Sequence, residues 1–174
     1  MIMKIQPEEF EFKILTDKNV NEILALQERV ISTLTNPDLL RRNTEQMFFE
    51  CVKEPNYSIG TYHNGTLIGI GVLYYPTTLE EDLSHLLKGV DIKDKKSANY
   101  KLCMVDKNYR GNGLQVALGK MLEDKAKKEG VNLLCATVSP DNFYSEQNML
   151  KLGYKINTTL PKYGSIRNIF YKNI

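Results

Sequence analysis

The sequence is poor in the residues that build metal centres and disulfides. Only two histidines, His63 and His85, stand among 174 residues, and no C-x-x-C pair occurs. A tetrahedral zinc site is therefore not expected. The cysteines number three, Cys51, Cys103 and Cys135, far apart and each set in an apolar stretch. They read as reduced core thiols of a cytoplasmic protein, not as a disulfide framework. Long apolar runs are missing, and nothing approaches the roughly 18 residues of a membrane span. The opening M-I-M-K-I-Q-P-E-E-F lacks the apolar core of an export signal. Charge of one sign is also lacking. The formal net charge of +2 is too even to point to nucleic acid, and the lysines from Lys93 to Lys96 are broken by Asp94, as in a solvated loop. No repeat, low-complexity segment or linker divides the chain. With 42% hydrophobic residues, it suits one domain over residues 1–174 with a real core.

What is present centres on residues 101–115, K-L-C-M-V-D-K-N-Y-R-G-N-G-L-Q. An apolar strand, Leu102 to Val105, ends in a polar turn. Arg110-Gly111-Asn112-Gly113 follows, and an amphipathic helix starts at once, with Leu114, Ala117, Leu118, Met121 and Leu122 on one face. Strand, glycine loop and helix start form a phosphate cradle. Glycine lets backbone N–H groups turn inward, and the first helical turn adds unpaired donors and the positive end of its dipole. Arg110 adds a cation at the mouth. The alternative is a tight strand-to-helix turn without a ligand. Neither common nucleotide motif fits. A P-loop needs four residues between its glycines, then Lys and Ser or Thr, whereas five separate Gly113 from Gly119-Lys120, and Met121 follows. The dinucleotide fingerprint needs a third glycine where Val116 stands.

The remaining elements follow from periodicity and turn chemistry. Glu11–Leu15 reads as a strand. Val20, Ile23, Leu24, Leu26 and Val30 mark a helix face. Asn36 and Pro37 predict the cap and first residue of a second helix, carrying Leu40, Met47, Phe48, Cys51 and Val52. Tyr57–His63 and Thr66–Tyr75 form a hairpin about Asn64-Gly65, with Gly69 and Gly71 marking a bulge or a close approach. Thr78 and Glu81 predict a capping box for a short helix with Leu79, Leu83, Leu86 and Leu87 on its face, stopped by Gly89. Leu133–Val138 reads as a buried strand. A turn at 139–142, a short helix to Leu152, and two strands, Tyr154–Leu160 and Ile166–Tyr171, complete the chain.

Two motifs together carry a resemblance. Arg110-Gly111-Asn112-Gly113-Leu114-Gln115 resembles the acyl-CoA loop of the GNAT superfamily of N-acetyltransferases, Q/R-x-x-G-x-G/A, with Gln115 in place of the last small residue. The run from Ser139 to Tyr154 is similar to that superfamily's P-x-N, short helix and L-G-F/Y, with Pro140, Asn142, Leu152, Gly153 and Tyr154 in those places. The resemblance covers most of the chain. It implies an α+β fold, a mostly antiparallel twisted sheet of about seven strands flanked by helices, with a central pair that splays to admit the pantetheine arm. It implies that Cys103, Met104 and Val105 pair with that arm, that Arg110 to Gln115 hold the pyrophosphate, and that Asn142 and Ser145 touch the cofactor, Asn142 both capping its helix and presenting its amide.

The implied reaction is direct attack of a neutral amine on the thioester of acetyl-CoA, the oxyanion being held by a backbone N–H. The amine must lose a proton and the departing thiolate must gain one. Many relatives carry a carboxylate base on the central strand; here Asn99, Tyr100 and Lys101 stand there. Many carry a tyrosine acid in the short helix, where Met149 now falls. Tyr144, one turn earlier, is the substitute acid, its alternative a packing role. No base is assigned: Glu80, Glu81, Asp82 and His85 precede the central strand but read singly as a solvated face, His63 reads as exposed at a hairpin tip, and a water chain is an alternative. Arg41 and Arg42 lie near the expected acceptor pocket and meet either an acceptor carboxylate or solvent. The expected partners are a coenzyme A thioester and a small amine, with no metal, nucleic acid or membrane, in a monomer or homodimer. A non-catalytic acyl-CoA binder or sensor is the competing reading, and a ligand-free interaction module a third.

Overall fold

The computed structural model describes residues 4–174. Met1, Ile2 and Met3, the start of the segment read for an export signal, lie outside the described residues. Among the described residues, seven strands, β1 (Glu11–Ile14), β2 (Tyr57–His63), β3 (Thr66–Tyr74), β4 (Ser97–Val105), β5 (Leu133–Val138), β6 (Lys155–Lys162) and β7 (Ser165–Asn173), form one sheet in the order β1-β2-β3-β4-β5-β7-β6. Four α-helices among the described residues accompany it: α1 (Val20–Ile31), α2 (Glu45–Cys51), α3 (Leu114–Lys128) and α4 (Phe143–Lys151). Every neighbouring pair is antiparallel except β4 and β5. That parallel pair is joined only from Ser97–Leu133 to Asn99–Cys135, and the strands then diverge. This is the mixed α+β architecture and splayed centre that the resemblance implies.

Each face of the sheet has its own core. On one face, Ile23, Leu26 and Val30 of α1 and Phe48 of α2 bury against Ile70, Val72, Leu102 and Met104. On the other, Leu118, Leu122 and Ala126 of α3 and Met149 of α4 pack on Leu73, Tyr100, Leu134, Ala136 and Phe170. A fully buried side chain of this size stabilises by about 1.5–3 kcal/mol, so each helix layer is firmly held. The two hairpin glycines have separate reasons. Gly69 pairs with Thr61 where β2 shifts register, and Gly71 lies under α3, where an added Cβ would stand 3.1 Å from Leu122 Cδ1 and 3.2 Å from Leu118 Cβ. Asn64 and Gly65 take φ of +49° and +75°, as the two-residue hairpin turn requires. A second such turn, Tyr163-Gly164, joins β6 to β7 with φ of +56° and +78°. β6 therefore runs on through Pro161, which edge position tolerates.

The structure corrects several element boundaries. Asn36 does cap a turn, accepting from Asp38 N at 2.9 Å, but that turn is a 3-10 segment ending at Leu39, and Leu40 is extended. The helix proper starts at Glu45, with Thr44 Oγ1 accepting from Met47 N at 3.2 Å. The reason lies in α1. Buried Gln27 accepts from Asn43 N at 2.8 Å and donates to Asn43 O at 3.0 Å, fixing that backbone in an extended form. The expected helix after Pro76 is also two turns instead. Thr78 Oγ1 accepts from Glu81 N at 3.3 Å, but the Glu81 carboxylate turns to Tyr74 Oη at 2.8 Å. Asp82 then caps a 3-10 segment, Leu83–Leu86, and Leu79 is left exposed. On α3, Met121 is exposed, and the buried stripe runs through Leu114, Leu118, Leu122, Glu123 and Ala126. Glu123 is buried because it accepts from Lys127 Nζ at 2.6 Å and from Lys172 of β7. Burial alone would raise its pKa, but the two ammonium groups outweigh burial and hold the carboxyl below its usual range.

Replacing Gly71 by valine is expected to lower stability by about 1–3 kcal/mol, the cost of overpacking against an anchored helix. Urea denaturation at constant m-value measures it; an unchanged midpoint would show that α3 does not rest on this glycine.

Candidate active site

The divergence of β4 from β5 creates the site. β4 is paired with β3 along one edge, but its other edge has no strand partner beyond Asn99. Its backbone groups from Tyr100 onward are thus open to a ligand strand. The β3–β4 register shifts between Val72 and Leu73, which oppose Leu102 and Tyr100, so Lys101 is an extra, bulged residue. Bulges of this kind re-aim a side chain beside a site. The cleft in the splay is lined from β4 by Tyr100, Lys101, Leu102 and Cys103, from β5 by Ala136, Thr137 and Val138, and from α3 and α4 by Gln115, Asn142, Ser145 and Met149. Leu39, Leu40, Arg41, Asn43, Tyr163 and Arg167 complete it.

The glycine loop lies between the end of β4 and the start of α3. Asp106 accepts from Arg29 Nε at 3.0 Å and from Asn108 N at 3.0 Å, closing a short 3-10 turn. Gly111 and Gly113 then take φ of +77° and +73°. Gly113 is the N-cap of α3, and no side chain caps the first turn. The first intrahelical bond is Ala117 N to Gly113 O at 3.0 Å, which leaves the preceding N–H groups outside the helical ladder. A Cβ on Gly113 would meet nothing within 4 Å, so the loop opens outward and only the backbone angle requires glycine. The loop is fastened from far along the chain. Lys4 Nζ donates to Gly111 O at 2.7 Å, and Ile5 N donates to Asn112 Oδ1 at 3.2 Å, while Asn112 Nδ2 donates to Tyr109 O at 2.9 Å. The role of Lys4 has no local sequence signal, since 107 residues separate it from its partner. Arg110 is half-buried, its backbone N–H donates to Lys107 O at 3.4 Å, and its guanidinium has no hydrogen bond or ion pair among the described residues.

The other sequence-selected residues divide. Cys103 lines the cleft, and burial pushes its thiol up to about 12, so it stays protonated at neutral pH and is no nucleophile. The Met104 side chain is buried in the α1–α2 core, and Val105 is half-buried outside the cleft lining; both offer backbone only. Leu114 is likewise buried. The Gln115 side chain turns away from the loop. It donates to Ser145 Oγ at 3.0 Å and accepts from Asn148 Nδ2 at 2.9 Å, tying α3 to α4. Asn142 Oδ1 caps α4 by accepting from Ser145 N at 3.1 Å, and Asn142 lines the cleft.

The acid and base candidates stand elsewhere. Tyr144 is 81% exposed and lies edge-on to Phe143, outside the cleft lining, because the first turn of α4 aims it to solvent. His63 is buried, not exposed, and its Nδ1 is 3.1 Å from Tyr109 Oη, where the glycine-loop turn covers the hairpin. Glu80, Glu81, Asp82 and His85 do not line the cleft, nor does any other Asp or Glu among the described residues. Arg42 is exposed and paired with Glu28. Sequence reasoning missed Tyr163 and Arg167. The signal for Arg167 was present: an arginine inside the apolar strand run S-I-R-N-I-F. Burial lowers the pKa of the Lys101 ammonium, partly offset by Cys51 and Glu81, and Lys101 Nζ sits 3.8 Å from the Tyr74 ring centre. Burial also holds the Tyr100 phenol well above its ordinary value.

Comparison with known proteins decides the assignment. The model of the Acetyltransferase (GNAT) family matches residues 21–154. The chain belongs to the GNAT acetyltransferase family, and as such is an acyltransferase. Solved GNAT-type structures are similar in fold. The N-acetyltransferase of Staphylococcus aureus Mu50 superposes with a TM-score of 0.69 at 17% identity, over 94% of this chain and 98% of that one. The paia N-acetyltransferase of Thermoplasma acidophilum, in complex with coenzyme A, gives 0.70 at 14% identity over 95% and 99%. The yncA protein of Salmonella typhimurium, with its cofactor acetyl-CoA, gives 0.68 at 13% identity over 95% and 94%. No curated protein sequence matches. Among the described residues, no helix is long and apolar enough to cross a membrane. Within the GNAT frame the departures are local: Gln115 in the loop, Met149 in the short helix, and a cleft without a carboxylate.

Proposed function

We propose that the protein moves an acetyl group from acetyl-CoA to a primary amine of a small molecule or peptide, by direct attack, with residues 1–174 serving as one catalytic domain. The observation that carries this is the uncapped start of α3, behind two left-handed glycines, at the end of a strand whose inner edge is open. Acetyl-CoA supplies the activated acyl group. The residues fit it. The N–H groups of the first α3 turn and Arg110 meet the pyrophosphate, and the open edge of β4 from Tyr100 to Val105 pairs with the pantetheine amides. The free amide of Asn142 adds a donor. Gln115 does not obstruct the loop, because its side chain is spent on Ser145 and Asn148.

Proton movements are the distinctive feature. A cleft without Asp or Glu holds no carboxylate to deprotonate the amine. The cations along it disfavour an ammonium and favour arrival of the neutral amine. Water is then the route by which the nitrogen loses its proton as the C–N bond forms, and water returns one proton to the coenzyme A thiolate released as the C–S bond breaks. The raised phenol of Tyr100, whose hydroxyl lies 3.4 Å from Gln115 O, stays protonated and polarises the thiolate's surroundings. The second reading, a non-catalytic acyl-CoA binder, is favoured by the position of Tyr144 and by Met149.

Three outcomes test these points. Calorimetry should show acetyl-CoA binding to the wild type and its loss in a folded Gly113→Asp variant, where a carboxylate meets the pyrophosphate. Release of coenzyme A thiol across a panel of amines then separates transfer from mere binding; binding without release for every amine would establish the sensor reading. With a working acceptor, kcat/KM should rise tenfold per pH unit up to the acceptor's own pKa, because the neutral fraction grows by that factor. A plateau from pH 5 to 7 would instead reveal an enzyme base. Tyr144→Phe should leave kcat within about two-fold, whereas loss of a true general acid costs roughly 10²–10⁴.

A further inference from the structure

The cleft reaches both faces of the sheet. Along β7, Asn168 donates to Glu146 of α4 and Phe170 joins the α3–α4 core. Side chains alternate along a strand, so Arg167 faces the other way, toward the segment between α1 and α2. There its Nη2 donates to Asp38 O at 2.9 Å. Arg167 is only 5% exposed, and its Nε has no hydrogen-bond partner. Beside it, the Arg41 guanidinium lies 4.1 Å from the ring centre of Tyr163. Neither arginine has an ion pair among the described residues. Lys101 lines the same cleft.

An arginine buried without a contact ion pair is costly: burial lowers the Arg167 pKa, and the exposed Asp38 carboxylate only partly offsets that. A bulky tyrosine at φ +56° is also an uncommon choice for a turn. Both are explained by a bound anion: Arg167 keeps an open donor, and Tyr163 holds the Arg41 plane in place. The pyrophosphate of the donor does not supply that anion, since it is assigned to the glycine loop, and none of Arg110, Gly111, Asn112 and Gly113 lines the cleft that Arg41 and Arg167 line. We infer that the amine acceptor carries an oxyanion, a carboxylate or a phosphate, bound by Arg167 and Arg41 on the wall of the cleft built by β7, the β6–β7 turn and the α1–α2 connection. This rests on the acetyltransferase reading. Guanidinium groups suit such oxygens because they donate paired, charge-assisted hydrogen bonds.

The test uses primary amines of graded chain length, each as a free carboxylate, a phosphonate and a neutral amide. Thiol release from acetyl-CoA is followed with the full chain. One anionic series should exceed its neutral amides in kcat/KM by roughly 10- to 100-fold, the worth of a charge-assisted hydrogen bond. Which series wins separates carboxylate from phosphate. Arg167→Gln should raise KM for that acceptor by a similar factor, leaving kcat and the KM of acetyl-CoA within about two-fold, and Arg167→Lys should recover part of the loss. Arg41→Gln, at an exposed position, should raise the same KM without risk to folding. Equal use of the neutral amides, or an unchanged acceptor KM in both glutamine variants, overturns the inference while leaving acetyl transfer intact. If acetyl-CoA binds but no amine is consumed, calorimetry with the coenzyme A-loaded protein still decides: failure of every anionic amine to bind overturns it. Failure to bind acetyl-CoA at all is the separate failure of the acetyltransferase reading.

Discussion

The structure depends on a parallel strand pair that is joined for three residue pairs and then abandoned. Everything else in the sheet is antiparallel and can be closed by short turns. A parallel pair needs a crossover, and α3 provides it. Because α3 packs on β3 and β4 through Leu118 and Leu122, over the gap left by Gly71, it covers β4 while β5 turns away toward β7. The open edge of β4 and the uncapped start of α3 thus come from one topological event. Unpaired backbone groups in a cleft are expensive to leave unmet, and a ligand able to pair with a strand and to place negative charge at a helix start answers both needs.

Much of this was legible in the sequence, and the reasons are physical. The glycine loop, the Asn64-Gly65 hairpin and the buried strand at Leu133–Val138 are local events, written in residues that few other conformations suit. The splay was legible only through resemblance, since nothing within β4 or β5 states where their pairing stops. The misread segments share a cause. After Asn36 and after Thr78 the local capping signals are real, yet side-chain bonds to Gln27 and Tyr74, in the preceding helix and strand, capture the chain before a helix can propagate. Helix nucleation is weak enough for such competition to win. His63 was misread because a hairpin tip is normally exposed, and here the loop after β4 folds over it. Arg167 was missed because a strand pattern reports burial, and a buried cation without a nearby acid in the sequence offers no partner to search for.

The loss of a familiar residue is compensated differently at each departure from the GNAT pattern. Gln115 adds a side chain where a small residue is usual, and the structure converts it into a bridge between α3 and α4. Met149 removes a phenol and leaves an apolar wall. Both residues lie within regular helix, in α3 and α4.

The two faces of the sheet have separate cores that meet only through the strands themselves. One core sets the angle of α3 and α4; the other holds the α1–α2 connection against Arg167. Substitutions in the two layers lie far enough apart for their energetic effects to add with little coupling. The wall around Arg41, Tyr163 and Arg167 sits on an edge hairpin and a loop, so changes there can be made without repacking the layer under α3 and α4.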